Sequence, residues 1–151
     1  GARGAVSGST CEGCPGGSSS GPGSDEITDC VCNVGFTGRN GTTCVECRMG
    51  TYKAETGPAG CEPCGAGTYS GATGASSSST CEDCPAFSDS NGGSQAVTDC
   101  VCIPGYSGPL GGPCEECGAG SWCDGGESYS CLAHSHSGAG SSEREECVCN
   151  A

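Results

Sequence analysis

The sequence is short of the residues that normally fill a protein interior, and short of positive charge. Its 151 residues include one Trp, four Tyr, two Phe and one Met. So little large apolar surface cannot offset the ordering of a backbone, about 1–2 kcal/mol per residue, which excludes an ordinary globular core. Five Lys and Arg face eighteen Asp and Glu, a net charge of −13. With no basic cluster, nucleic acid and anionic lipid are excluded as partners. No apolar run reaches the ~18 residues that cross a bilayer, so this segment is not expected to insert into a membrane. No apolar period of 3.6 runs along the chain, so helix content should be very low. The sequence opens without Met and without a signal-like apolar stretch, and it reads as a piece of a longer secreted protein.

Cysteine and glycine are what the chain has, 18 and 30 of them. That cysteine density marks a disulfide scaffold in an oxidising compartment, secreted or at a cell surface. The cysteines keep strict register. "TDCVCNVGFTGRNGTTCVEC" at 28–47 is answered by "TDCVCIPGYSGPLGGPCEEC" at 98–117, every cysteine and three glycines in place, with Phe36 matched by Tyr106. Cys11, Cys14, Cys30, Cys32, Cys44 and Cys47 recur as Cys81, Cys84, Cys100, Cys102, Cys114 and Cys117. A third copy starts at Cys131, since Cys-x15-Cys-x-Cys occurs at 14/30/32, 84/100/102 and 131/147/149. Between these lie Cys-x2-Cys-x2-Gly-Thr-Tyr units, which place Tyr52, Tyr69 and Trp122 five residues after a cysteine. Repeats of this kind predict units arrayed along an axis, built of short strand pairs and Gly/Pro/Asn turns.

Eight cysteines alone allow 105 connectivities. Pairing neighbours in order gives 14–30, 32–44, 47–61, 64–81, 84–100, 102–114, 117–123 and 131–147. Most of these loops hold 11 to 16 residues, and 117–123 is the tight exception. Cys11 is then left seeking a partner upstream, and Cys149 one about twelve residues downstream. The chain divides into a Gly/Ser-rich lead-in (1–10), a first cysteine-rich unit (11–47), a second unit (48–80), a third (81–117) and a partial unit (118–151). In such a chain the cysteines serve as the core. The glycines of "GF.G" and "GY.G" mark turns where a Cβ does not fit, and the neighbouring aromatic offers a flat cover for a disulfide.

The Cys-x-Cys-x2-Gly-(Phe/Tyr)-x-Gly-x5-Cys runs at 30–44 and 100–114 resemble the second half of an EGF-like module. The "C..C..GTY....G...C..C" units at 44–64 and 61–84 resemble the ephrin-receptor-like cysteine-rich repeat, itself similar to tumour-necrosis-factor-receptor modules. The resemblance covers roughly 11–149 and implies a small disulfide-rich fold, an elongated tandem array of both module types with almost no helix. Alternation with Gly/Ala/Ser/Thr-rich filler looks like large extracellular proteins of algae and other protists, some of which build the flagellar hairs called mastigonemes. A complete EGF module has six cysteines, and here its first half is replaced by the neighbour's Cys-x2-Cys, so no EGF ligand role carries over.

The same residues admit other chemistries. Cys44-x2-Cys47-x13-Cys61-x2-Cys64 has zinc-ribbon-like spacing, but it runs without a gap into Cys-x-Cys units. Glu12, Glu62, Glu82 and Glu115 follow the first Cys of a Cys-x2-Cys, and Asp29 and Asp99 precede the Cys-x-Cys. They could serve calcium or simply keep the surface soluble. His134 and His136 form a His-x-His that could grip a metal or lie in an exposed loop. No Ser, His and Asp set suggests catalysis, and Cys-x2-Cys redox chemistry needs a βαβ context that is absent. Asn40-Gly41-Thr42 is an N-glycosylation sequon in a turn. The Ser runs at 18–20 and 76–79, and Pro22, Pro58 and Pro109 beside Gly, suit O-linked sugar or a flexible tether. The expectation is a non-catalytic, cofactor-free structural segment of a secreted, cell-surface or flagellar-surface glycoprotein. Its partners would be copies of itself, other filament or matrix proteins, and glycans. A receptor stalk or ligand-binding ectodomain is the alternative, weakened because only Tyr129 stands apart from structural cysteines and glycines.

Overall fold

The computed structural model describes residues 12–150. The lead-in over 1–10 and Cys11 lie outside the described residues. Two compact units are present. The first holds the described residues up to Pro63 with Ala72–Thr80, the second Cys64–Gly71 and the described residues from Cys81 on.

Local sequence explains the strand pairs, which are antiparallel hairpin rungs. In the first unit β1 (Ser18–Ser19) pairs with β2 (Val31–Cys32), β3 (Phe36–Thr37) with β4 (Val45–Glu46), and β5 (Thr51–Tyr52) with β6 (Glu62–Pro63). In the second, β7 (Thr68–Tyr69) pairs with β8 (Glu82–Asp83), β9 (Ser88–Asp89) with β10 (Val101–Cys102), and β11 (Tyr106–Ser107) with β12 (Glu115–Glu116). The longer β13 (Ser121–Asp124) pairs with β14 (Glu127–Ser130), and β15 (Ser135–His136) with β16 (Val148–Cys149). Return strands β4, β6, β8 and β12 are the two residues inside a Cys-x2-Cys, while β2, β10 and β16 are the Val-Cys of a Cys-x-Cys. Five outgoing strands begin at a Ser or Thr whose hydroxyl donates to the carbonyl three residues back, closing the entering turn. These are Ser18 to Pro15, Thr51 to Arg48, Thr68 to Gly65, Ser88 to Pro85 and Ser135 to Leu132, at 2.6–2.7 Å. Pairs of only two residues are unstable alone in water, so covalent closure must hold them.

That closure is disulfide. Cys14–Cys30, Cys32–Cys44, Cys47–Cys61, Cys64–Cys81, Cys84–Cys100, Cys102–Cys114, Cys117–Cys123 and Cys131–Cys147 are joined, with Cα atoms 5.6–5.8 Å apart. That is the usual disulfide span. These are the neighbour-in-order pairs, the tight 117–123 loop included. In the chain-entropy account each loop of ~15 residues stabilises by about 3 kcal/mol. Among the described residues the buried apolar side chains are nine cysteines and Ala75, with no buried Leu, Ile, Val, Phe or Met. The interior is mostly sulfur and backbone, with Lys53 and four Ser side chains buried beside them. The fold is small, disulfide-rich and free of α-helix among the described residues, a tandem of cysteine-rich modules.

Candidate functional site

The feature that recurs is the seam between successive rungs within each unit. A glycine N–H of one rung donates to the carbonyl of the residue that follows the outgoing strand of the next, or to that strand's third residue in the longer β13. The bonds run from Gly35 to Lys53, Gly67 to Ser90, Gly105 to Cys123 and Gly120 to Ser137, at 2.9–3.1 Å. Gly35 shows why glycine is required: its φ is +77°, and an added Cβ would lie 2.2 Å from the Gly74 carbonyl oxygen. Parallel bridges Tyr52 to Ala75, Tyr69 to Ser94 and Ser107 to Gly126 continue the seam.

The accepting residues of these seams are buried, and their side chains tie back to the rung before. Ser90 Oγ donates to the Thr68 carbonyl at 3.0 Å and Ser137 Oγ to the Ser121 carbonyl at 2.7 Å. Lys53 does the same with an ammonium: Nζ donates to the Phe36 carbonyl at 2.7 Å and also to the Gly57 carbonyl. It is only 4% exposed, and burial lowers its pKa below the ordinary lysine value. At the fourth seam Cys123 is fixed by its disulfide to Cys117. A buried polar residue costs little when it is bonded in this way. None of these ties carried a sequence signal. The residue after the strand varies as Lys, Ser or Cys, and only the three-dimensional register shows a shared role.

The acids have structural partners. Asp29 Oδ2 accepts the Asp25 and Glu26 N–H groups, Asp99 Oδ2 those of Gln95 and Ala96, and Glu146 Oε2 those of Ser142 and Glu143. Each closes the entry to a single 3-10 turn, at Ile27–Asp29, Val97–Asp99 and Arg144–Glu146. Asp29 and Asp99 are exposed, and each also has this structural role. Glu82 accepts a 2.9 Å hydrogen bond from the Tyr69 hydroxyl across its hairpin. The hydrogen bond to Glu82 is the main reason the Tyr69 pKa lies above the ordinary value, and Glu62 raises Tyr52 in the same way. Glu12 and Glu115 are exposed.

Other sequence candidates fall as follows. The four cysteines with zinc-like spacing sit in three separate disulfides, Cys32–Cys44, Cys47–Cys61 and Cys64–Cys81, so their thiolates are not free for a metal. Among the described residues no three His, Cys, Asp or Glu side chains gather where a metal could be held. His136 Nδ1 lies 2.6 Å from Asn150 Oδ1, matching Ser19 Oγ and Asn33 Oδ1 in the first copy. His134 is exposed with φ +65°. Tyr129 does not stand apart: it stacks on Trp122 with ring centroids 4.4 Å apart. Phe87 stacks on Tyr106 at the same distance, so the Tyr106 ring covers a neighbouring ring. Asn40 is exposed in a turn that precedes Gly41. Cys149 is a free, exposed thiol.

Among the described residues no helix is long and apolar enough to cross a membrane. No curated protein matches the chain. Eight disulfides in the described residues and the repeat geometry point to an extracellular or cell-surface location. A family model does match part of it: residues 35–81, from the Gly35 seam to the Cys64–Cys81 disulfide, are similar to the family described as tyrosine-protein kinase ephrin type A/B receptor-like.

Proposed function

We propose that this chain is a non-catalytic structural segment of a large secreted or cell-surface glycoprotein, which builds or spaces an extracellular filament of the mastigoneme kind. The seam carries this reading. Each rung is covalently closed, and within each unit buried polar side chains fasten rungs to the rung before. Such a chain resists local opening at every hairpin, because each exposes few residues between covalent ties. Asn40 carries N-linked sugar in this reading, and the surface acids keep the exposed loops soluble. Packing partners are copies of the same protein or other glycosylated filament components.

Electron microscopy of the native protein, purified without denaturation, tests the reading. Filaments with a regular axial repeat support it, and isolated particles that end in a membrane anchor contradict it. The second reading is a receptor stalk or ligand-binding ectodomain, and the ephrin-receptor-like match over 35–81 favours it. Treatment of the native glycoprotein with an amidase that releases N-glycans should leave Asp at position 40, a mass gain of about 1 Da at that site relative to Asn.

A further inference from the structure

Asparagine is a thermolabile residue, and most of all before glycine, where no Cβ hinders attack of the next backbone nitrogen on the side-chain amide. The sequence holds two such steps, Asn40-Gly41 and Asn91-Gly92. Both asparagines are exposed. The dipeptides are identical, but the backbones around them are not.

At Asn40 the attacking nitrogen is occupied. Gly41 N–H donates to the Cys30 carbonyl at 2.8 Å. Gly41 is half-buried, and an added Cβ would meet the Ile27 and Thr28 backbone at 3.0–3.2 Å. Attack from this nitrogen would break its bond and lift the chain off the Ile27–Asp29 turn. At Asn91 nothing competes. Among the described residues neither the Gly92 N–H nor the Asn91 side-chain amide makes a hydrogen bond, and Gly92 is exposed to water and hydroxide. The turn itself is held in place, since the Asn91 carbonyl accepts the Ser94 hydroxyl at 2.7 Å. It also carries the seam. Gly93 N–H donates to the Cys64 carbonyl at 2.9 Å, and the Ser94 carbonyl accepts the Ser70 N–H at 3.0 Å.

We propose that Asn91 is a self-modification site whose conversion to isoaspartate loosens the seam between Ser70 and Ser94. Hydroxide takes the Gly92 amide proton. The nitrogen attacks Asn91 Cγ, a C–N bond forms, and the side-chain nitrogen leaves as ammonia. Water then opens the cyclic imide at either carbonyl. Asparagine and water become ammonia and aspartate or isoaspartate, with no oxidant or reductant. Opening to isoaspartate routes the main chain through Cβ and adds a carbon to it, immediately before the two seam bonds of Gly93 and Ser94.

The test incubates the oxidised chain, produced without N-glycan so that Asn40 stays free, in mildly alkaline buffer. Mass spectrometry of its peptides reads conversion at each site. Asn91 should convert at least about fivefold faster than Asn40, the factor that one hydrogen bond is worth. In the same chain reduced and unfolded, the two rates should converge. Equal rates in the oxidised chain, or a faster Asn40, would overturn the proposal. A gap that persists after unfolding would also overturn it, because flanking sequence and not the Gly41 bond would then set the rates. Amide exchange tests the consequence. In the converted chain the Ser70 and Gly93 amides should exchange at least about fivefold faster than in fresh protein. Asn91→Asp, which supplies the charge without the extra carbon, should leave them unchanged. Unaltered exchange in the converted chain, or equal loss of protection in both, would overturn the link to the seam.

Discussion

Replacement of Gly35 by Ala is the sharpest perturbation of the seam. Gly35 has φ +77° and its added Cβ would lie 2.2 Å from the Gly74 carbonyl oxygen. A residue with a Cβ loses about 1–2 kcal/mol in this left-handed conformation. The overlap must then be relieved by parting the two backbones. This weakens the bonds from Gly35 to Lys53 and from Cys47 to Gly35, 2.9 and 2.8 Å long, each contributing about 1 kcal/mol. The local cost is about 3–4 kcal/mol. Gly120→Ala is the matched control, since Gly120 has φ +82° and nothing within 4 Å of its added Cβ. It should cost only the conformational ~1–2 kcal/mol. Native-state amide exchange by NMR reads both, because local opening sets the rate. Gly35→Ala should speed the Cys47, Lys53 and Gly74 amides by about 100-fold or more, and Gly120→Ala should speed the Ser121 and Cys131 amides by about tenfold. Equal effects would refute the idea that close backbone approach at the seam, and not glycine's torsional freedom alone, holds rungs together.

Lys53→Met keeps the stem but leaves the Phe36 and Gly57 carbonyls without their donor; it should weaken that seam by about 1–3 kcal/mol, seen as faster exchange at Gly35. Asp99→Ala removes the acceptor of the Gln95 and Ala96 N–H groups. It should cost about 0.5–2 kcal/mol and speed reduction of Cys84–Cys100 by dithiothreitol under native conditions. Tyr52 and Tyr69 should ionise above the ordinary tyrosine value of about 10 in an ultraviolet titration, because Glu62 and Glu82 accept their hydroxyl hydrogen bonds. Since the folded values are raised, the stability from these pairs is present below the unfolded value and lost as pH rises through the folded one. Glu62→Gln with Glu82→Gln should bring both titrations back down.

Much of this architecture is written in the cysteine spacing, because a disulfide tolerates only a narrow Cα separation and so fixes loop length. The Gly-Thr-Tyr and Cys-x2-Cys motifs mark the hairpins for a similar reason: Thr51 and Thr68 close a turn locally, and two residues between cysteines form the return strand. The seam was not legible. Whether Lys53, Ser90 and Ser137 share a role depends on which rung lies beneath them, and the three side chains share no chemistry beyond a donor. The Trp122–Tyr129 stack escaped too, because the four-residue hairpin of β13 and β14 replaces the usual two-residue pair and departs from the repeat. Asp29 and Asp99 were visible as a recurring pair, but their bonds to N–H groups three and four residues upstream depend on the backbone turn.

The central claim is that disulfides, not apolar burial, hold the rungs. Complete reduction in buffer without denaturant, followed by amide exchange, tests it most directly. On reduction the Gly35, Gly67, Gly105 and Gly120 amides, all engaged at seams in the oxidised chain, should lose protection together. Protection that survives full reduction at these four positions would contradict it.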